Sequence, residues 1–126
     1  MSSIRATLVT YLKAQVSAVS NRVYPAKKAP DSPIVPYIVV TRVSGPHLYT
    51  HQGYTGTSRI HWQVSVFDTD STRCEAIADT VTAAMEAWAS VEATVGSMLQ
   101  VGDGEDYESD TKRHQFYREF RGLCDE

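Results

Sequence analysis

Apolar residues recur with two different periods along the chain, and the changes of period mark its elements. Between residues 3 and 19, Ile4, Leu8, Leu12, Val16 and Val19 fall on one side at about 100° per residue, with Thr7, Thr10, Lys13 and Ser17 opposite. This predicts an amphipathic helix, capped by Ser2 or Ser3 and ended at Asn21. Residues 25–36 hold four of the five prolines and are expected to run as an extended, irregular connection, because proline removes a donor and fixes φ. Pro36 then opens a strand over Tyr37–Ser44, rich in β-branched residues, which Gly45-Pro46 stops.

Residues 45–58 carry Gly45, Pro46, Gly53 and Gly56 and predict a long loop or a protruding hairpin. Beyond it Ile60, Trp62, Val64 and Val66 alternate with Arg59, His61, Gln63 and Ser65, the clearest strand of the chain, with one face buried and one wet. Asp68 to Thr72 leads into a second helix reaching about Ala89, with Thr72 and Glu75 at capping-box spacing. Cys74, Ile77, Ala78, Val81, Ala84, Met85 and Trp88 form its apolar face. A short strand is expected at Ser97–Val101 and a turn at Gly102–Asp106, extended to Asp110. The last strand is His114–Leu123, where Arg118 lies between Phe116 and Phe120 on one parity. The order α-β-β-α-β-β predicts an α+β domain covering residues 1–126, with a mainly antiparallel sheet of about four strands and both helices on one face.

Composition narrows the function. The 126 residues suit one domain, and 42% hydrophobic with 21% charged residues suits a packed core. A net charge of −3, with Lys27–Lys28 and Lys112–Arg113 the sole adjacent basic pairs, disfavours a protein that grips nucleic acid by neutralising phosphates. Cys74 and Cys124 form no metal or redox pattern and are expected to be reduced. No signal-peptide core and no apolar run of membrane-spanning length is present, so synthesis in a cytoplasm and no membrane partner are expected.

Candidate chemistry is sparse. His47 and His51 have the i, i+4 spacing of two metal ligands on a helix, but the flanking glycines and proline argue against a helix there, and no third ligand is near. Surface roles are expected for His61 and His114. No G-x-S-x-G elbow occurs, and Cys74 belongs to an apolar stripe rather than to an activating, electropositive setting. Gly102-x-Gly104 lacks a third glycine, and Asp103, Glu105 and Asp106 would repel a phosphate. The same acidic stretch, with Glu108, reads as a solvated turn, an anionic interface or a channel lining; its spacing does not fit an EF-hand. Trp62 and Trp88 are expected in the core. Tyr49, His51 and Tyr54, with His47, suit an interface, since each offers an apolar body and a polar tip.

Several segments taken in order resemble a known family. They are Asn21-Arg22-Val23-Tyr24-Pro25, the proline-rich run into Pro36-Tyr37-Ile38-Val39-Val40, and Arg42-Val43-Ser44-Gly45. The strand ending in Asp68, Ala76-Ile77-Ala78-Asp79 followed by Val81, Asp106-Tyr107-Glu108 and Tyr117-Arg118-Glu119-Phe120-Arg121 complete the series. Together they are similar to the tail-completion, or tail-terminator, proteins of long-tailed bacteriophages and gene-transfer particles, over nearly the whole chain. The resemblance implies a non-enzymatic virion protein without a cofactor. Six copies would form a ring on the head-proximal end of the tail tube, contacting the tube protein and the head connector or head-completion protein. DNA would pass through the lumen without specific binding. An acidic loop of Asp103, Glu105, Asp106 and Glu108 is then the candidate lumen lining, and His47, Tyr49, His51 and Tyr54 the candidate interface loop. The alternatives are another neck or minor tail component, or a small metal-dependent enzyme using His47, His51 and the acidic loop.

Overall fold

The computed structural model describes residues 4–19, 21–25, 34–44, 47–50, 53–92, 95–109 and 112–125; side chains at 44, 47–50, 53–57 and 125 lie outside the description. Its elements are α1 (Ile4–Gln15), β1 (Val23–Pro25), β2 (Tyr37–Ser44), β3 (His47–Thr50), β4 (Gly53–Asp68), α2 (Ser71–Val91), β5 (Val95–Glu108) and β6 (Arg113–Asp125). The α+β class is as expected, but the sheet has six strands rather than about four, in the order β1-β2-β4-β6-β5 with β3 also on β4. β1 runs parallel to β2 and every other pair is antiparallel.

Register explains why this pattern folds as it does. Ile38 opposes Val66, Val40 opposes Val64, Trp62 opposes Phe120 and Val66 opposes Phe116, so the apolar parities of β2, β4 and β6 coincide on one face. Both helices pack there, α2 over β4, β5 and β6, and α1 against β1 and β2. Leu8 and Leu12 of α1 and Val81, Met85 and Trp88 of α2 join the strand residues in one core cluster. Each fully buried Leu, Ile or Val contributes roughly 1.5–3 kcal/mol. The helices meet where Tyr11 stacks on Trp88 with centroids 5.9 Å apart and donates to the Ala84 carbonyl at 2.7 Å. Arg118 also points to the helix face, where its guanidinium donates to Asp79 Oδ1 of α2 at 3.3 Å. Among the described residues the opposite face of the sheet carries no helix.

Several local expectations need correction. The first helix stops at Gln15 and passes into a 3-10 turn at Ser17–Val19, ahead of Asn21 at a φ of 66°. β1 was not foreseen: Pro25 is tolerated because β1 is an edge strand. α2 is capped by Asp70, which accepts from the N–H groups of Thr72 and Arg73, and not by a Thr72–Glu75 box. The largest change concerns Gly102–Asp106, expected as a turn. These residues belong to β5, which pairs with β6 from Val95 to Glu108 and is interrupted by irregularities at Val95/Ser97 and Gln100/Gly102.

Candidate functional site

β4 is longer than the strands beside it. Among the described residues Thr57 is the first of β4 to pair with β6, and Gly53–Gly56 lie beside β3 alone, with Tyr49 opposite Tyr54 and Thr50 opposite Gly53. The β3–β4 pair is therefore a two-stranded arm reaching about 13 Å past the body of the sheet. The described part of the stretch 45–58, residues 47–50 and 53–58, is thus a protruding strand pair rather than a loop. It places the backbones of His47, Tyr49 and Tyr54 together in a strand pair; His51 lies outside the described residues. His47 sits on a strand, so the helical spacing that a two-histidine metal face requires is not formed there. Among the described residues no group of three or more His, Cys, Asp or Glu could hold a metal ion.

At the other end of the sheet stand the acidic residues. Asp103, Glu105, Asp106 and Glu108 pair with Arg118, Phe116, Gln115 and Arg113, level with Val64–Asp68 of β4. They form strand rather than loop, and strand alternation separates them. Asp103 and Glu105 share the helix side with Arg118 and Phe116, while Asp106 and Glu108 share the open side with Gln115 and Arg113. Glycine is what lets so acidic a segment pair. A Cβ on Gly104 would lie 2.2 Å from the Tyr117 ring, and one on Gly102 would lie 2.7 Å from Glu119 Oε2. The two glycines read as a possible phosphate loop thus make room for side chains crossing from β6.

Two adjoining clefts of about 550 and 370 Å³ open between α2 and this half of β5. Phe116 lies in both, with Glu75 on the helix wall and Glu105 on the strand wall. Asp103 and Arg118 line the smaller one. Among the described residues β5 is the last strand of the sheet, and the backbone groups of its far edge meet no further strand. Leu99 and Val101 on β5 are 63% and 50% exposed.

The open face holds a feature that sequence reasoning missed. Tyr37 stacks on Phe67 with centroids 4.8 Å apart, and Arg113 lies 5.8 Å over the Tyr37 ring while donating to its hydroxyl at 3.3 Å. Burial raises the Tyr37 phenol above its ordinary range, against the pull of Arg113. The available signal was two large aromatics on the polar parity of neighbouring strands. On the same face His61 Nε2 is buried, has no hydrogen bond among the described residues and stands 3.9 Å from Glu119 Oε2. His114 tilts against Tyr107 with centroids 4.7 Å apart. Trp62 and Trp88 are in the core as expected. Cys74 is buried, its thiol donating to the Val66 carbonyl at 3.2 Å and pushed up to about 11 by burial. Among the described residues no disulfide joins Cys74 to Cys124.

No helix among the described residues is long and apolar enough to cross a membrane. No curated protein sequence matches the chain. A solved structure described as the virion of a native gene transfer agent particle contains a similar chain: TM-score 0.69, 14% identity, 94% of this chain and 95% of that one covered. That likeness supports the fold. The sequence profile of the family described as tail completion protein gp17 matches residues 5–124. On that match, spanning nearly all of its helices and sheet, the chain belongs to the tail completion protein gp17 family and is a structural protein of the phage tail, and so of the virion.

Proposed function

We propose that this protein works by assembly rather than turnover: six copies close into a ring that caps the head-proximal end of the tail tube and meets the head connector, with DNA passing through the lumen. The family match over residues 5–124 carries this reading. The geometry agrees with it. A cyclic assembly requires two different surfaces on each subunit, and the sheet ends differently on its two sides, in an arm and in an acidic edge.

The helix-free face suits a lumen. Among the residues with described side chains its charges balance, Arg59, Arg113 and Arg121 against Asp106, Glu108 and Glu119, and Gln63, Ser65 and Gln115 lie among them. Such a face has no basic surplus with which to release counterions from duplex, and six copies at −3 carry a formal −18 in total. Of the four carboxylates read as lumen residues, Asp106 and Glu108 take that role here, because alternation turns Asp103 and Glu105 to the helix side.

The decisive experiment is loss of the protein during phage assembly, followed by electron microscopy of the products. Tails of unregulated length without heads are expected, together with closed six-fold rings when purified protein is added back to tubes. Tubes of normal length that join heads without it would refute the reading.

A further inference from the structure

The arm and the acidic half of β5 lie at opposite ends of one sheet, and their chemistries are complementary. From Ser32 to Phe67 the sequence has no Asp or Glu, yet it includes Arg42, Arg59 and three of the four histidines. The arm is the protruding part of that stretch. The far half of β5 has four carboxylates between Asp103 and Glu108, and Glu75 of α2 adds another beside the cleft. Arg118 lies in this region but is engaged with Asp79. Each feature also lacks something on its own. A two-stranded hairpin is marginal in water without a third strand. Among the described residues the far edge of β5 meets no further strand. Neither need is met by the described residues of one subunit. The β4 position of the arm and the level of Glu105, which pairs with Phe116 and through it with Val66, are eleven residues apart at Thr55, or about 36 Å.

We propose that the β3–β4 arm of one copy docks on the next copy at the acidic half of β5, adding to its free edge and covering the cleft between β5 and α2. The occupant is a second copy of this chain. The arm is the carboxylate-free projection, the edge is the acidic receptor, and their placement at opposite ends makes the contact head-to-tail, as a closed ring demands. Backbone pairing supplies adhesion, as in strand addition generally. Opposite charge sets which end meets which. Arg59, exposed at the base of the arm, is the cation of β4 that stands nearest to it. This inference rests on the ring reading and specifies how neighbours in the ring are joined.

A chain carrying both Thr55→Cys and Glu105→Cys tests it. The two sites are about 36 Å apart within one subunit. A disulfide needs Cα atoms within about 7 Å, so any bond between them joins two copies. Under mild oxidation in the presence of tail tubes, a ladder of covalent oligomers rising to six is expected, with each single-cysteine variant stopping at the dimer or below. A second variant, Asp103→Lys with Glu105→Lys, keeps the strand exposed and is checked for folding by circular dichroism. Its self-association is expected to weaken about tenfold or more, with partial recovery when Arg59→Glu chains are mixed in. Six-fold rings that form without cross-links and are indifferent to the charge reversal would overturn the arm contact and leave the ring intact. Absence of any ring on tubes would overturn both.

Discussion

Asp68 joins β4 to α2, and its replacement tests how the structure spends a buried charge. The side chain is fully buried. Oδ1 accepts from the N–H groups of Thr69 at 2.7 Å and Asp70 at 3.4 Å, and from Arg73 Nη2 at 2.6 Å, while Arg73 Nε donates to Oδ2. Burial opposes the ionised form, but the Arg73 hydrogen bonds and the two backbone donors outweigh it and hold the carboxyl below the ordinary Asp range. Asp68→Asn preserves size and removes the charge, leaving an amide NH2 against a guanidinium donor. Breaking a wholly buried pair costs about 3–5 kcal/mol. Arg73 is 51% exposed and recovers water, so the expected loss is smaller, about 2 kcal/mol. With a urea slope near 2 kcal/mol/M, the unfolding midpoint falls by about 1 M. The sign with pH follows from the lowered folded pKa. The stabilisation is fully present above the unfolded Asp value, by about pH 5, and is lost as pH falls through the folded value. Urea unfolding of both proteins at about pH 7 and about pH 2.5 should show a gap that closes in acid. A gap under about 0.5 kcal/mol at neutral pH, or one unchanged in acid, would refute the reasoning.

Other consequences are open to direct measurement. Gly104→Ala drives a Cβ into the Tyr117 ring and should cost about 1–3 kcal/mol by thermal unfolding, much of it recovered when Tyr117→Ser is added. Tyr11→Phe removes the hydroxyl that donates to Ala84 while keeping the ring over Trp88, and should lower stability by about 1 kcal/mol in urea. Cys74, with its thiol near 11, is about one part in a thousand thiolate at about pH 8. A thiol reagent should therefore leave the buried cysteines of the folded protein unlabelled and titrate two groups once it is denatured.

What could be read from the residues alone follows from where one face of an element is buried. β4 and α2 show clean periods because each has a single dry side; the bounds of α2 and the end of β4 came within two residues of the structure, while β4 begins at Gly53, six residues before its clear alternation. The acidic residues and the glycines of β5 carry turn propensities, and they pair because β6 lies along their whole length; only that long-range partner makes them strand. β1 has three residues and a proline, too short for any period, and exists through its pairing with β2. Arg118 on an otherwise apolar parity marked a partly buried face, and its reason is Asp79, far away in sequence on α2. The candidate site reads in sequence as a loop or protruding hairpin and an acidic turn. The structure makes both of them strand, and alternation then divides the carboxylates between two faces.

That division bears on how one small domain can meet several partners at once. A loop of four carboxylates would present one anionic surface, able either to line a channel or to hold a neighbour. On a strand the same residues point alternately, so Asp106 and Glu108 serve the open face while Asp103 and Glu105 remain at the edge beside α2. The pleat also ties the two uses together: a one-residue slip of β5 on β6 would exchange the faces of all four. The irregularity at Gln100/Gly102 is itself such a one-residue shift, placed between the apolar first half of β5 and its acidic second half. Before it, Met98 keeps core parity; after it, Asp103 takes the helix side and Gly104 passes beneath Tyr117. Without that extra residue, Asp103 and Glu105 would turn to the open face, and Asp106 and Glu108 would turn toward α2 and Glu75. The bulge thus decides which carboxylates stand on each face, setting Asp106 and Glu108 opposite Gln115 and Arg113 on the open side and Asp103 and Glu105 opposite Arg118 and Phe116 beside α2.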